Sequence, residues 1–340
     1  MFHADGFSQL TGKPIPCIHG NEAENFLSGI PQNSLIIEPY HGLGNRLRAY
    51  GSAAALARKT GRVLYVIWIP DIHVNATMQD LFDTTSITVV DYPVAPALSC
   101  VFSEFLLYDY HSKGGKDEVL QDSTSLPIYV RSAYVLQSAT SVSEADISFE
   151  LLLLTPSIEV IEQVKILEQT IPQLKADFLG VHVRMNTDIT KDVPGIANLG
   201  IHNPASTAHM GPVKSERGRC HYKYFISHME KALELNPNAS FFVASDSSCA
   251  ILKLFTAFPG KVYSTDLRKL AACEGINSRS KICLQVSLSE FLVLGSRVSY
   301  LILSEWSSAS ELILRLGAHK VPHESGCTPK RHPRSFIFFG

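Results

Sequence analysis

Four short segments place polar or charged side chains directly after an apolar run. Gly180-Val181-His182-Val183-Arg184 closes one of them. Two polar residues two positions apart on a strand share a face, and doubly wound folds bind ligands at the C-terminal ends of their strands. Arg184 offers a planar fork of donors suited to a diphosphate oxygen, and His182 a hydrogen bond to a ribose or phosphate. A structural Arg–carboxylate pair is the competing use of the same arginine. Phe241-Phe242-Val243-Ala244-Ser245-Asp246 ends a second run, where Asp246 suits either an N-cap or a place beside a nucleotide. Leu301-Ile302-Leu303-Ser304-Glu305-Trp306-Ser307-Ser308 runs into a hydroxyl-rich helix start. Ser307 and Ser308 there suit capping or the approach of a phosphate to free N–H groups. In Gly42-Leu43-Gly44-Asn45-Arg46-Leu47 the two glycines allow a close backbone approach, Asn45 brings an amide and Arg46 a fixed charge. A dinucleotide fingerprint would need glycine where Leu47 stands, so a nicotinamide enzyme is disfavoured.

The elements that must carry these residues alternate. The spacing predicts a strand over Ser34–Glu38, a helix over Arg46–Thr60 and a strand over Val63–Ile69, a βαβ opening that implies a parallel sheet. Strands at Ile87–Asp91 and Pro127–Val130 and a helix over Pro156–Thr170 complete the first half. The pattern restarts with strands at Phe178–Val183, Ser240–Ala244, Lys261–Tyr263 and Val298–Leu303. Helices at Cys220–Leu235, Ser248–Phe258, Leu284–Leu294 and Ser308–Leu316 interleave with them. The expected architecture is α/β, with two Rossmann-like doubly wound domains facing across a cleft: an extension (1–33), a first domain (34–175), a second (176–325) and a tail outside the fold (326–340).

The 340 residues suit two domains, and 45% apolar with 18% charged residues excludes a disordered chain. The net charge of −2 argues against a general nucleic-acid binder, but it conceals an asymmetry. Residues 1–175 hold 11 basic and 19 acidic groups, residues 176–340 hold 19 and 13, so an anionic ligand is expected on the second half. Neither a signal peptide nor a membrane span is read from the sequence, and the chain as written reads as soluble. Seven cysteines show no zinc spacing. Cys273 and Cys283 suit either a bridge in an oxidising compartment or ordinary thiols, and sequons stand at Asn75 and Asn238.

Together the four segments, with Lys261-Val262-Tyr263-Ser264-Thr265-Asp266 and Leu288-Ser289-Glu290-Phe291-Leu292-Val293-Leu294, resemble the GDP-fucose-dependent fucosyltransferase superfamily over roughly residues 34–320. That superfamily includes α1,6- and α1,2-fucosyltransferases, the nodulation fucosyltransferase and protein O-fucosyltransferases. The resemblance implies a GT-B fold, a GDP-fucose donor held mainly by the second domain, a glycan or glycoprotein acceptor, no metal, and transfer with inversion. The absence of a D-x-D motif agrees with it. It implies that Arg184 holds the β-phosphate and stabilises departing GDP, that His182 contacts the nucleoside side, and that Glu290 reads the guanine amine. Ser307 and Ser308 would bind the diphosphate with Asp246 nearby, and Asn45 would approach sugar or acceptor. The catalytic acids would fall at Asp188 or Asp192, in a stretch one residue longer than usual, and Met185 replaces the second arginine of the α1,6 and α1,2 enzymes. The long segment 193–219, with His202, His209, Lys214 and Arg217, reads as an acceptor lid or a solvated loop. The family's eukaryotic members imply a Golgi or ER lumen if the chain is a fragment of a type II enzyme. The alternatives are a non-catalytic GT-B protein that binds nucleotide or glycan, and a transferase using another nucleotide sugar.

Overall fold

A computed structural model describes residues 21–171, 178–184, 219–274 and 278–327. The chain forms two compact units that divide between Glu159 and Val160. In the first, β1 (Ser34–Pro39) is followed by α2 (Leu43–Thr60), β2 (Val63–Ile67) and β3 (Thr88–Val90). A short helix α3 (Leu98–Val101), β4 (Leu106–Asp109), β5 (Ile128–Ser132) and α4 (Glu144–Leu152) follow, and a helix α1 (Glu22–Ser28) precedes β1. The strands pair in parallel in the order β3-β2-β1-β5-β4. β1 is buried along its whole length because a central parallel strand is covered on both faces, which explains the unbroken Leu35-Ile36-Ile37 run.

Helix α2 begins at Leu43, three residues before the expected start. Gly44 and Asn45 are weak helix formers, but Leu43, Gly44 and Leu47 are buried, and packing outweighs propensity. The helix ends at Gly61, whose left-handed φ of 66° and N–H bond to Ala57 O close the last turn. Leu27 of α1 packs against Ile36 and Ile67, so this part of the expected extension belongs to the first core.

The second unit comprises α5 (Ile158–Thr170, counted here from Val160), β6 (Phe178–Val183), α6 (Tyr222–Leu235), β7 (Ser240–Ser245), α7 (Ser248–Ala257) and β8 (Val262–Tyr263). Then come α8 (Leu267–Ala272), α9 (Lys281–Ser296), β9 (Tyr300–Leu303), α10 (Ser308–Leu316) and β10 (His323–Ser325). Its sheet is parallel, in the order β10-β9-β6-β7-β8. β6 therefore lies where the strand order reverses, with β7 on one side and β9 on the other. Two parallel sheets, each with its helices, make an α/β fold. Sequence reading placed α5 in the first domain, whereas it counts with the second.

The expected tail enters the fold before it leaves the described residues. Cys327 is bonded to Cys220, and a side chain at Gly326 would lie 2.3 Å from the ring of buried Phe225. β10, a polar three-residue edge strand, brings the chain there. Cys273 and Cys283 form a second bridge.

Helices α9 and α10, which carry Glu290 and the serine-rich start, cross at a pair of glycines. A Cβ on Gly317 would lie 2.7 Å from the carbonyl oxygen of Gly295, a backbone atom with nowhere to go. Gly317→Ala is expected to cost about 1–3 kcal/mol of stability in urea unfolding, as overpacking does, with the spectrum of the folded state retained.

Candidate functional site

The C-terminal ends of β6, β7 and β9 meet around Arg184. His182 and Val183 face Ala244 and Ser245 in register on one side, and His182 faces Leu303 on the other. The Arg184 backbone N–H donates to Ser304 Oγ (2.7 Å), and Ser304 N–H donates back to His182 O (3.0 Å). On the β7 side, Ser245 Oγ donates to Val183 O (2.8 Å). Arg184 NH1 pairs with Asp246 Oδ2 at 2.8 Å, with the two side chains 20% and 21% exposed. This is the Arg–carboxylate pair that the sequence left open. It orients the guanidinium without burying it, so the group keeps an accessible edge.

Two helix N-termini open beside this point. Ser247, not Asp246, caps α7 by accepting from Ala250 N, and Ser307 caps α10 by accepting from Ser310 N. Capping is thus the established role of Ser307. Ser308, half-buried, is the first residue of α10.

Two expected ligand contacts are buried instead. His182 is 3% exposed, its Nδ1 is 2.7 Å from Ser310 Oγ, and its ring meets Phe291 edge-on at 5.7 Å. Burial and the Arg184 charge push its pKa down to about 4, so the imidazole is neutral. It ties the strand end to the first turn of α10 and presents almost no surface to a nucleoside. Glu290, 3% exposed, accepts a hydrogen bond from Thr265 Oγ1 at 2.6 Å. Burial pushes its carboxyl up to about 8, only partly offset by Thr265.

In the first unit, Gly42 is the N-cap of α2 at an ordinary φ of −67°, and its carbonyl accepts from Asn45 N and Arg46 N; Gly44 is buried in the first turn. Asn45 is half-buried, and its Oδ1 accepts from Arg48 NH2 at 2.7 Å. Arg46 does not present its charge to a donor. It is 1% exposed, donates to His41 O (3.1 Å) and Ile69 O (2.8 Å), pairs with Asp71 Oδ2 (3.0 Å) and lies over the Trp68 ring. Burying a guanidinium demands partners for its donors, and two turns supply them. Asp188, Asp192, Met185, His202, His209, Lys214 and Arg217 lie outside the described residues.

Sequence reasoning missed Ser245, Ser304 and Ser310, whose hydroxyls fasten the strand ends. Their signal is position alone: each is a small hydroxyl residue at a strand end or in the first helical turn. It also missed Trp306, exposed at a left-handed φ of 54° just before the α10 cap. Among the described residues no His, Cys, Asp and Glu group of three or more is placed to hold a metal ion, and no helix is long and apolar enough to cross a membrane.

No protein-family model matches the chain, and no curated protein does either. Solved structures do. The NodZ α-1,6-fucosyltransferase soaked with GDP-fucose is 15% identical, with a TM-score of 0.51, over 84% of this chain and 93% of that one. NodZ from Bradyrhizobium is 14% identical, with a TM-score of 0.51, over 86% and 94%. The chain has the fold of these fucosyltransferases. POFUT1 in complex with GDP-fucose shares it, at 15% identity and a TM-score of 0.51 over 88% and 98% of the two chains.

Glu290 makes the fold pH-dependent in a defined direction. Its folded pKa (about 8) lies above the 4.5 of a free carboxyl, so its contribution is fully present below pH 4.5 and is lost as pH rises to about 8. Glu290→Gln, which cannot ionise, should gain stability relative to the parent across that window. Urea unfolding at a series of pH values reads the difference, and a constant offset contradicts the assignment.

Proposed function

We propose that the protein is a glycosyltransferase that takes fucose from GDP-fucose and passes it, with inversion, to a hydroxyl of a glycan or glycoprotein. The observation that carries this reading is Arg184. It is a partly exposed guanidinium at the end of the central strand, oriented by Asp246 and fastened through its own N–H to Ser304. As the bond from the sugar to the β-phosphate breaks, negative charge builds on the departing diphosphate. A pre-oriented cation stabilises that charge without reorganisation, and it does so without a metal. The N-termini of α7 and α10 add the partial positive charge of their backbone N–H groups. The NodZ structure soaked with GDP-fucose and the POFUT1 structure in complex with it support the choice of donor.

In this reading Ser308 and the α10 N-terminus take the diphosphate. Glu290 drops back from the guanine and supports the site from inside the unit, through its hydrogen bond from Thr265. His182 acts from beneath, by holding Ser310. Asn45 approaches the sugar or acceptor, while Asp188 and Asp192 are the carboxylates offered for the acceptor proton. Arg46 drops out of the donor set and supports the first unit's turns. The bridges Cys220–Cys327 and Cys273–Cys283 and the exposed sequon residues Asn75 and Asn238 favour an oxidising compartment such as the ER or Golgi lumen.

Arg184→Ala should keep the parent's circular dichroism, weaken GDP in calorimetry, and lower GDP-fucose turnover by about 10²–10³. Unchanged GDP binding would sink the role of Arg184. GDP binding by the parent with no turnover of GDP-fucose would instead make it a non-catalytic nucleotide-binding protein.

A further inference from the structure

The first unit carries a group of imidazoles that the proposal above leaves unused. His41 follows β1, His73 lies in the segment after β2, and His111 follows β4, so three loops bring them to the C-terminal end of one parallel sheet. The His41 ring meets His111 at 4.6 Å and His73 at 5.5 Å, both edge-on, and His111 stacks flat on Tyr40 at 4.3 Å. Among the described residues neither ring nitrogen of His41 or His73 makes a hydrogen bond, and Nδ1 of His111 is buried with no partner. The buried, unpartnered nitrogen of His111 is the costly one for a structure to keep, and His41 and His73 bring their own nitrogens beside it.

The backbone is held to produce it. His41 has a left-handed φ of 65°, uncommon for a residue with a side chain. Arg46 Nε bonds the His41 carbonyl, and the same guanidinium pairs with Asp71, whose Oδ1 accepts the N–H groups of His73 and Val74. One buried arginine therefore fixes two of the three imidazole-bearing turns.

The surrounding charges are already matched. Glu38 accepts from Tyr40 and Tyr129 and lies near Arg131, which also pairs with Asp109 and covers the Tyr40 ring. Burial and the neighbouring His111, His73 and Arg46 push His41 down to about 4 against the opposing pull of Asp71. His111 is lowered by burial, Arg131 and His73 against Asp109 and Glu38. What remains is a set of hydrogen-bonding nitrogens beside flat rings, with the protonated forms of His41 and His111 disfavoured. Uncharged nitrogens do not attract an anion, and among the described residues no such group is placed to hold a metal ion. Nitrogens beside flat rings suit instead the hydroxyls and C–H faces of a sugar.

We propose that the cluster of His41, His73 and His111 beside Tyr40 is a carbohydrate-binding subsite in which His41 accepts a hydrogen bond from a sugar hydroxyl. The ligand class rests on the glycosyltransferase reading, whereas the subsite rests on the cluster. The test uses the full chain labelled with 15N-histidine and titrated with the methyl glycosides of galactose, glucose, mannose and N-acetylglucosamine, alongside GDP calorimetry on the same sample. At least one glycoside should shift the ring signals of His41 and His73. His41→Asn, which tolerates the left-handed backbone, and His73→Asn on an exposed loop should each weaken it about tenfold while leaving GDP binding unchanged. The glycoside-induced shift of the His41 ring signals should persist down to about pH 4 rather than fail near 6.5. Ring signals unmoved by every glycoside, or affinities unchanged in both variants, overturn the subsite even where GDP binds. Shifted rings without GDP binding uphold it and overturn the donor reading instead.

Discussion

The cation beyond the end of the second unit's central parallel strand is held from both sides without being buried, and the neighbouring strand ends are arranged around it. Arg184 pairs with Asp246 from the end of β7 and bonds through its own N–H to Ser304 from the end of β9. The residues that follow the two strands flanking β6 thus each contribute one contact to the residue that follows β6. A fully buried pair would lose its attraction to desolvation, and a fully exposed one would lose it to water and salt. At about one-fifth exposure the guanidinium is ordered yet accessible. The hydroxyls of Ser245, Ser304 and Ser310 finish the same strand ends, where the ladder stops and backbone groups need other partners.

Several polar residues that look functional in sequence serve this framework from below. His182 holds Ser310, Thr265 holds Glu290, and Arg46 holds two turns of the first unit. A polar group inside a core is costly unless satisfied, so each of these side chains fixes one geometry of the residues around it. The exposed charge and its structural support are neighbours in the chain because a strand end serves both. In G-V-H-V-R the histidine points into protein and the arginine emerges from it, although their spacing alone puts them on one face.

Much of the fold was legible. Buried parallel strands read as continuous apolar runs, and Phe178–Val183 and Ser308–Leu316 fall where expected. The elements missed lack that signal. β4 is a four-residue strand, too short to show a period, and β10 is polar because it is an edge. Helix α4 carried a readable cue, the capping box of Ser143 and Asp146, that the apolar pattern around it obscured. The tail was misjudged at its start, since nothing local shows that Cys327 meets Cys220, 107 residues earlier.

By itself the sequence determined two doubly wound halves, where most of their strands end, and the concentration of positive charge in the second half. Those follow from local periodicity and composition, which each segment carries alone. Only the tertiary structure decided which polar side chains emerge and which are spent inside. Arg184 and Asp246 keep surface, whereas His182, Glu290 and Arg46 are buried, and the imidazoles of His41, His73 and His111 converge from three loops. Exposure and convergence are set by what packs against a residue from distant parts of the chain, and no window of sequence contains that partner.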